Sequence, residues 1–159
     1  MKINHVVVSG VSGSGKTTLG KILAADLGWR FLDADDYHSP EAIQKMARGT
    51  PLKDHDRKQW LEDLNAELRS SRHTVLSCSA LKKQHRHALS WNTSLFYIWL
   101  DITQELAIER IQNRKNHFMP PSLIKSQFAI ATAPRKGLIL DASQRPDELL
   151  SQCKSVLNR

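Results

Sequence analysis

The run Gly10-Val-Ser-Gly-Ser-Gly-Lys-Thr17 constrains this chain more than any other stretch. It satisfies G-x-x-x-x-G-K-[ST], and its flanks decide how it reads. Before it lies Ile3-Asn-His-Val-Val-Val8, short and β-branched, which predicts a buried strand. After it, Leu19, Ile22, Leu23 and Leu27 recur at helical spacing, which predicts a helix from Lys16 to Leu27 ending at Gly28. A loop so placed is built to hold phosphate. Gly10, Gly13 and Gly15 let successive N–H groups face inward, and the helix start adds its positive dipole end. Ser14 and Thr18 complete the nucleotide-binding set. Lys16 is expected to reach the β- and γ-phosphates, and Thr17 to offer its hydroxyl to Mg²⁺.

Beyond the loop, strand-like runs alternate with helical ones, the pattern of an α/β fold with a parallel sheet. The further strands are expected near 29–32, 74–78, 95–100 and 138–140. Helices are expected over 41–48, 55–69, 81–89, 104–114, 122–130 and 146–157. Trp60, Leu61, Leu64 and Leu68 form the apolar stripe of the 55–69 helix. Basic and turn-forming residues at 115–122, with Pro120-Pro121, predict an irregular stretch.

The chain has 159 residues, enough for one domain with its own core. Its formal charge of +7 suits nucleic acid or anionic small molecules. No arginine-rich tract with interleaved aromatics is present, which favours the second. The two cysteines, Cys78 and Cys153, form no disulfide framework, and Cys78 sits in an apolar run. The phosphate loop comes too soon for a signal peptide, and no apolar run is long enough to span a bilayer. A reducing, cytoplasmic setting without membrane contact is expected. Seven histidines show no zinc-ligand spacing, so no metal beyond nucleotide-bound Mg²⁺ is expected.

A second constellation points to a reaction. Asp33, Asp35 and Asp36 follow the second strand, on the edge where open parallel sheets bind ligands. Carboxylates there can hold a Mg²⁺-bound water or accept the proton of an attacking hydroxyl; they can equally be turn and cap residues. Asp35 is assigned to the acceptor hydroxyl and Asp33 to the metal shell. Arg57 shares the buried stripe of Trp60 and Leu64, so its charge needs a partner. That partner is either a structural carboxylate such as Asp54 or a substrate carboxylate gripped bidentately. Arg110 and Arg114 lie four apart, on one helical face, and with Lys115 and His117 form a basic cluster suited to a lid over a phosphoryl group.

These residues resemble one family. Asp33-x-Asp35-x-x-His38 leads to Lys45-Met46-x-x-Gly49-x-Pro51-Leu52-x-Asp54-x-Asp56-Arg57-x-x-Trp60-Leu61. Cys78-Ser-Ala-Leu-Lys-Lys83 with Arg86, then Arg110, Arg114, His117-Phe-Met119 and Ser126-Gln-Phe128 follow in order. From about Val6 to Phe128 this is similar to the gluconokinases. The resemblance implies an ATP-dependent kinase acting on the 6-hydroxyl of D-gluconate. It implies a three-layer P-loop kinase fold like shikimate kinase, with a five-stranded parallel sheet, a lid near 113–122, and a homodimer. It further implies that His38, Arg57, Lys82 and Arg86 line the acceptor pocket with Asp35. Arg110 and Arg114 would serve nucleotide and lid. The chain departs from the family at Ser39, Ala42, Lys53, Gln59, His85, His87 and Ala131-Thr132, which leaves a related sugar acid open as acceptor.

Three other readings are weaker. A kinase of shikimate or a nucleoside monophosphate would share the phosphate machinery. A regulatory nucleotide switch lacks N-K-x-D and D-x-x-G motifs here. A nucleic-acid module has only the +7 charge in its favour.

Overall fold

The computed structural model describes residues 2–114 and 119–158. Five strands form one sheet: β1 (His5–Ser9), β2 (Arg30–Asp33), β3 (Thr74–Ser77), β4 (Phe96–Asp101) and β5 (Leu138–Asp141). Their order is β2-β3-β1-β4-β5, and every pairing is parallel. β1 is central and buried along its whole length, its Val6–Val8 run covered on both faces.

Helices cover both faces. α1 (Lys16–Leu27) and α7 (Pro146–Leu157) lie on the side of Val6, Val8, Ile98 and Leu100. α3 (Asp54–Arg69) packs on the opposite side, where Trp60, Leu61, Leu64 and Leu68 meet Val7, Leu76 and Tyr97. Val6, Val7 and Val8 alternate between the two layers, as the two-residue period of a strand dictates. Trp99, two residues on from Tyr97, joins α5 (Gln104–Gln112) and α6 (Pro121–Ile130) through Ala107, Ile111 and Ile124. α2 (Pro40–Ala47) and α4 (Lys83–Leu89) complete the order.

The expected helices and strands are present within a few residues, with two differences. Residues Ala34–Tyr37 form a 3₁₀ turn, capped by Asp33, whose carboxylate accepts the Asp35 N–H at 3.0 Å. Four residues carry too little periodicity to announce it. The irregular stretch expected to 122 ends earlier, because Pro121 opens α6. A proline in the first turn lacks only an N–H that the helix leaves unpaired anyway. Lys115, His117 and Phe118, within the expected lid, lie outside the described residues.

Parallel strands put all their C-terminal ends on one edge. Gly10 after β1, Asp33 ending β2 and Ser79 after β3 therefore meet there. The Gly10 N–H donates to the Ser79 carbonyl at 3.2 Å and ties the two loops together.

Candidate active site

The phosphate loop adopts backbone that only glycine takes without strain. Gly10, Gly13 and Gly15 have φ of 143°, 86° and 93°. A Cβ at Gly13 would stand 2.6 Å from the Ala107 carbonyl oxygen, and at Gly10 2.9 Å from that of Leu100. The loop is thus moulded against β4 and α5. Lys16 Nζ donates to the Val11 carbonyl at 2.9 Å, folding its ammonium back over the loop. Desolvation lowers its pKa, and the charge of Asp35 opposes that shift. Thr17 opens α1 and points its hydroxyl at Asp33 Oδ2, 3.4 Å away. Burial raises the pKa of Asp33, and the Asp35 N–H works against it.

A cavity of about 620 Å³ opens in front of the loop. Ser12, Gly13, Gly15, Lys16 and Thr17 form one wall. Asp35 and His38 stand beside them, and the start of α3 supplies Asp54, Arg57 and Trp60. Lys82, Arg114 and Gln127 add to the polar lining, with Ile43, Met46 and Leu123 among its apolar groups. The His38 ring stacks on Trp60, whose indole N–H donates to the Ala34 carbonyl at 2.7 Å.

Arg57 donates to the Leu52 carbonyl at 2.8 Å and makes no ion pair among the described residues. Asp54, the structural partner weighed for it, turns instead to Lys82 at 3.3 Å and to the His85 ring at 3.6 Å. Asp56 turns to Lys45 at 2.9 Å. The charges of Asp54 and Asp56 still act on the Arg57 guanidinium against its burial, but neither pairs with it directly among the described residues.

Most of the expected site residues come together here: Gly13, Gly15, Lys16, Thr17, Asp35, His38, Arg57, Lys82 and Arg114 all line the cavity. Gly10 and Ser14 shape the loop from behind, and Thr18 is exposed on α1. Arg110 braces the loop, donating to the carbonyls of Gly13 at 3.3 Å and Ser14 at 3.4 Å and also to Ala142.

Arg86 is the correction. It does not line the cavity; it is 8% exposed and its guanidinium donates to the carbonyls of Ala80 and Thr132, each at 2.8 Å. Both backbone bonds come from one guanidinium nitrogen, which holds the side chain behind the cavity wall rather than in it. Gln127 is the residue that local reading passed over. Its only signal was its place in Ser126-Gln-Phe128, since nothing in helical spacing announces a contact 115 residues away with Ser12.

The donor set fits the groups that such a site takes. Thr17 and Asp33 present two oxygens close together, the hard ligands that Mg²⁺ prefers. Among the described residues there is no cluster of three or more His, Cys, Asp or Glu arranged to hold a metal by itself.

A phosphate loop after the central strand of a parallel sheet, faced by carboxylates from the next element, defines a P-loop kinase of small molecules. The shikimate kinase family model matches residues 12–144. A probable gluconokinase of Dictyostelium discoideum is 41% identical, over 96% of this chain and 85% of its own. The thermosensitive gluconokinase of Escherichia coli (strain K12) is 42% identical, over 95% and 86%. The crystal structure of a gluconokinase from Sinorhizobium meliloti 1021 superposes with a TM-score of 0.91 at 35% identity, covering 100% of this chain and 94% of that one. The chain belongs to the gluconokinase family, and it is a kinase.

Proposed function

We propose that this protein transfers the γ-phosphoryl group of ATP to the 6-hydroxyl of D-gluconate, giving 6-phosphogluconate and ADP. One observation carries the acceptor assignment. Arg57 faces a cavity shared with the phosphate loop and has no carboxylate partner among the described residues. A ligand carboxylate satisfies it, with Lys82 beside it, and Asp54 and His38 are placed to bond hydroxyls along a polyol.

The chain's own residues divide the work. The glycine-rich loop and the start of α1 hold the phosphates, with Arg110 bracing the loop. Thr17 and Asp33 would hold Mg²⁺, which would screen phosphate charge. Asp35 orients the acceptor hydroxyl for in-line attack and takes its proton. Lys16 and Arg114 neutralise charge on the group in transfer. Apolar side chains such as Met46 and Leu123 line the cavity and limit water near the group in transfer.

The enzyme acts in the cytoplasm, where its two buried cysteines stay as thiols. No described helix is long and apolar enough to cross a membrane. It works as a homodimer, which light scattering on the purified protein tests directly.

The deciding assay is ADP release from Mg-ATP across D-gluconate, its epimers, other sugar acids, shikimate and nucleoside monophosphates. D-gluconate is expected to give the highest kcat/KM. Release only with another acceptor overturns the substrate and keeps the kinase.

A further inference from the structure

α6 touches both loops that must meet during transfer. Near its C-terminal end, Gln127 grips Ser12 in the phosphate loop at two points. Its Oε1 accepts the Ser12 N–H at 2.8 Å, and its Nε2 donates to the Ser12 hydroxyl at 3.0 Å. Just past the helix, the Thr132 N–H donates to the Leu81 carbonyl at 2.8 Å. Thr132 also accepts from Arg86, which holds Ala80 with the same nitrogen. Ala80 and Leu81 lead directly to Lys82, which lines the cavity. The phosphate loop is thus fastened to the last turn of α6, and the acceptor loop to the residue that follows its C-cap, five residues further on.

We propose that Gln127 is a positioning residue that makes α6 a strut between donor and acceptor loops. Without its clasp the direct Gly10–Ser79 bond remains and each loop still binds its own ligand, but the Ser12 end of the phosphate loop is no longer set against the acceptor loop at the spacing that in-line transfer needs. Two bonds to one residue fix the angle of approach as well as the distance, which a single bond does not. Misplacement of about 1 Å at a reacting pair is enough to cost about 10²-fold in rate.

The proposal rests on the kinase reading, and two measurements keep the two separable. Hydrogen exchange is followed on the wild type and on Gln127→Met, with and without the non-hydrolysable Mg-AMPPNP. In the wild type the nucleotide is expected to protect the phosphate loop, α6 and residues 80–82 together. In Gln127→Met, protection of the phosphate loop is expected to remain and that of α6 and 80–82 to fall. Equal protection of α6 in both proteins overturns the strut, whatever the acceptor is.

The second measurement is kinetic. Gln127→Met is expected to lower kcat at least tenfold while the Kd for ATP alone and for D-gluconate alone each change less than about threefold. A kcat within twofold of wild type overturns the proposal, and so does a loss of ATP affinity that accounts for the rate. Ser12→Ala removes one of the two bonds and carries the same test if Gln127→Met does not fold. Its loss is expected to be smaller, and the double variant to lose no more than Gln127→Met alone; fully multiplicative losses overturn the coupling. Wild-type protein that binds nucleotide but releases no ADP with D-gluconate counts against the acceptor and leaves the exchange result to decide the strut.

Discussion

The imidazole of His38 lies flat on the indole of Trp60, ring centroids 4.3 Å apart and planes 15° from parallel. One ring ends the 3₁₀ turn that carries Asp35, and the other is anchored in the core by α3. The stack therefore fixes the acceptor carboxylate's segment to the hydrophobic layer. Trp60→Ala is expected to cost about 3–5 kcal/mol in urea unfolding, as large aromatic truncations in cores do. Trp60→Phe keeps an aromatic ring under His38 but loses the bond to Ala34 and part of the indole's buried volume, so about 1–3 kcal/mol is expected, less than for alanine. Equal costs would show that the indole N–H, and not the ring, does the holding.

Lys16→Ala and Asp35→Asn are each expected to lower kcat by about 10²-fold or more, with circular dichroism unchanged. Asp35→Asn preserves shape and removes the charge proposed to take the proton. Full activity in that variant would remove Asp35 from the reaction.

Arg57→Ala is expected to raise the acceptor KM at least tenfold with the KM for ATP near wild type. Arg57→Lys should recover only part of the loss, since a point charge does not replace a planar fork. If the acceptor KM is unmoved, the carboxylate of the substrate binds elsewhere.

Arg86→Met is expected to act on stability and leave acceptor recognition largely in place. It strands the buried carbonyl of Ala80 and releases that of exposed Thr132, at about 1–3 kcal/mol. A raised acceptor KM at unchanged melting temperature would return Arg86 to the pocket.

Acid should destabilise the fold before it titrates most carboxylates. Burial holds His5, His38 and His85 below the ordinary histidine value of 6.5, His85 at about 4. Between those values the unfolded chain binds more protons than the native one. Stability is therefore full above about pH 6.5 and falls as pH drops toward 4. Urea midpoints at pH 7.5, 6 and 5 should decline in that order, and His85→Gln should flatten the decline. A midpoint constant over that range would mean that these rings ionise freely in the native state.

The phosphate loop, the helix from Lys16 to Leu27 and the closing helix Pro146–Leu157 were legible because their causes are local. Glycines, a lysine and an apolar period lie within one short window, and the physics that shapes them acts over the same window. The alternation of strands and helices likewise announced an α/β sheet. What those signals do not contain is the order in which strands pair, since the period of each strand is the same whichever neighbour it takes.

The arginines show the limit most clearly. Arg57 and Arg86 look alike as cations on partly apolar helices, and both were expected in the acceptor pocket. Only the packed chain separates them: Asp54 is drawn away to Lys82 and His85, which leaves Arg57 open to the cavity, while Arg86 is enclosed by the carbonyls of Ala80 and Thr132. The same holds for Gln127 and Ser12, 115 residues apart and in contact. Residue identity determined which chemistry the chain could carry. Which side chains actually face that chemistry was decided by tertiary structure, because a polar group's partner is whatever folding brings within hydrogen-bond reach.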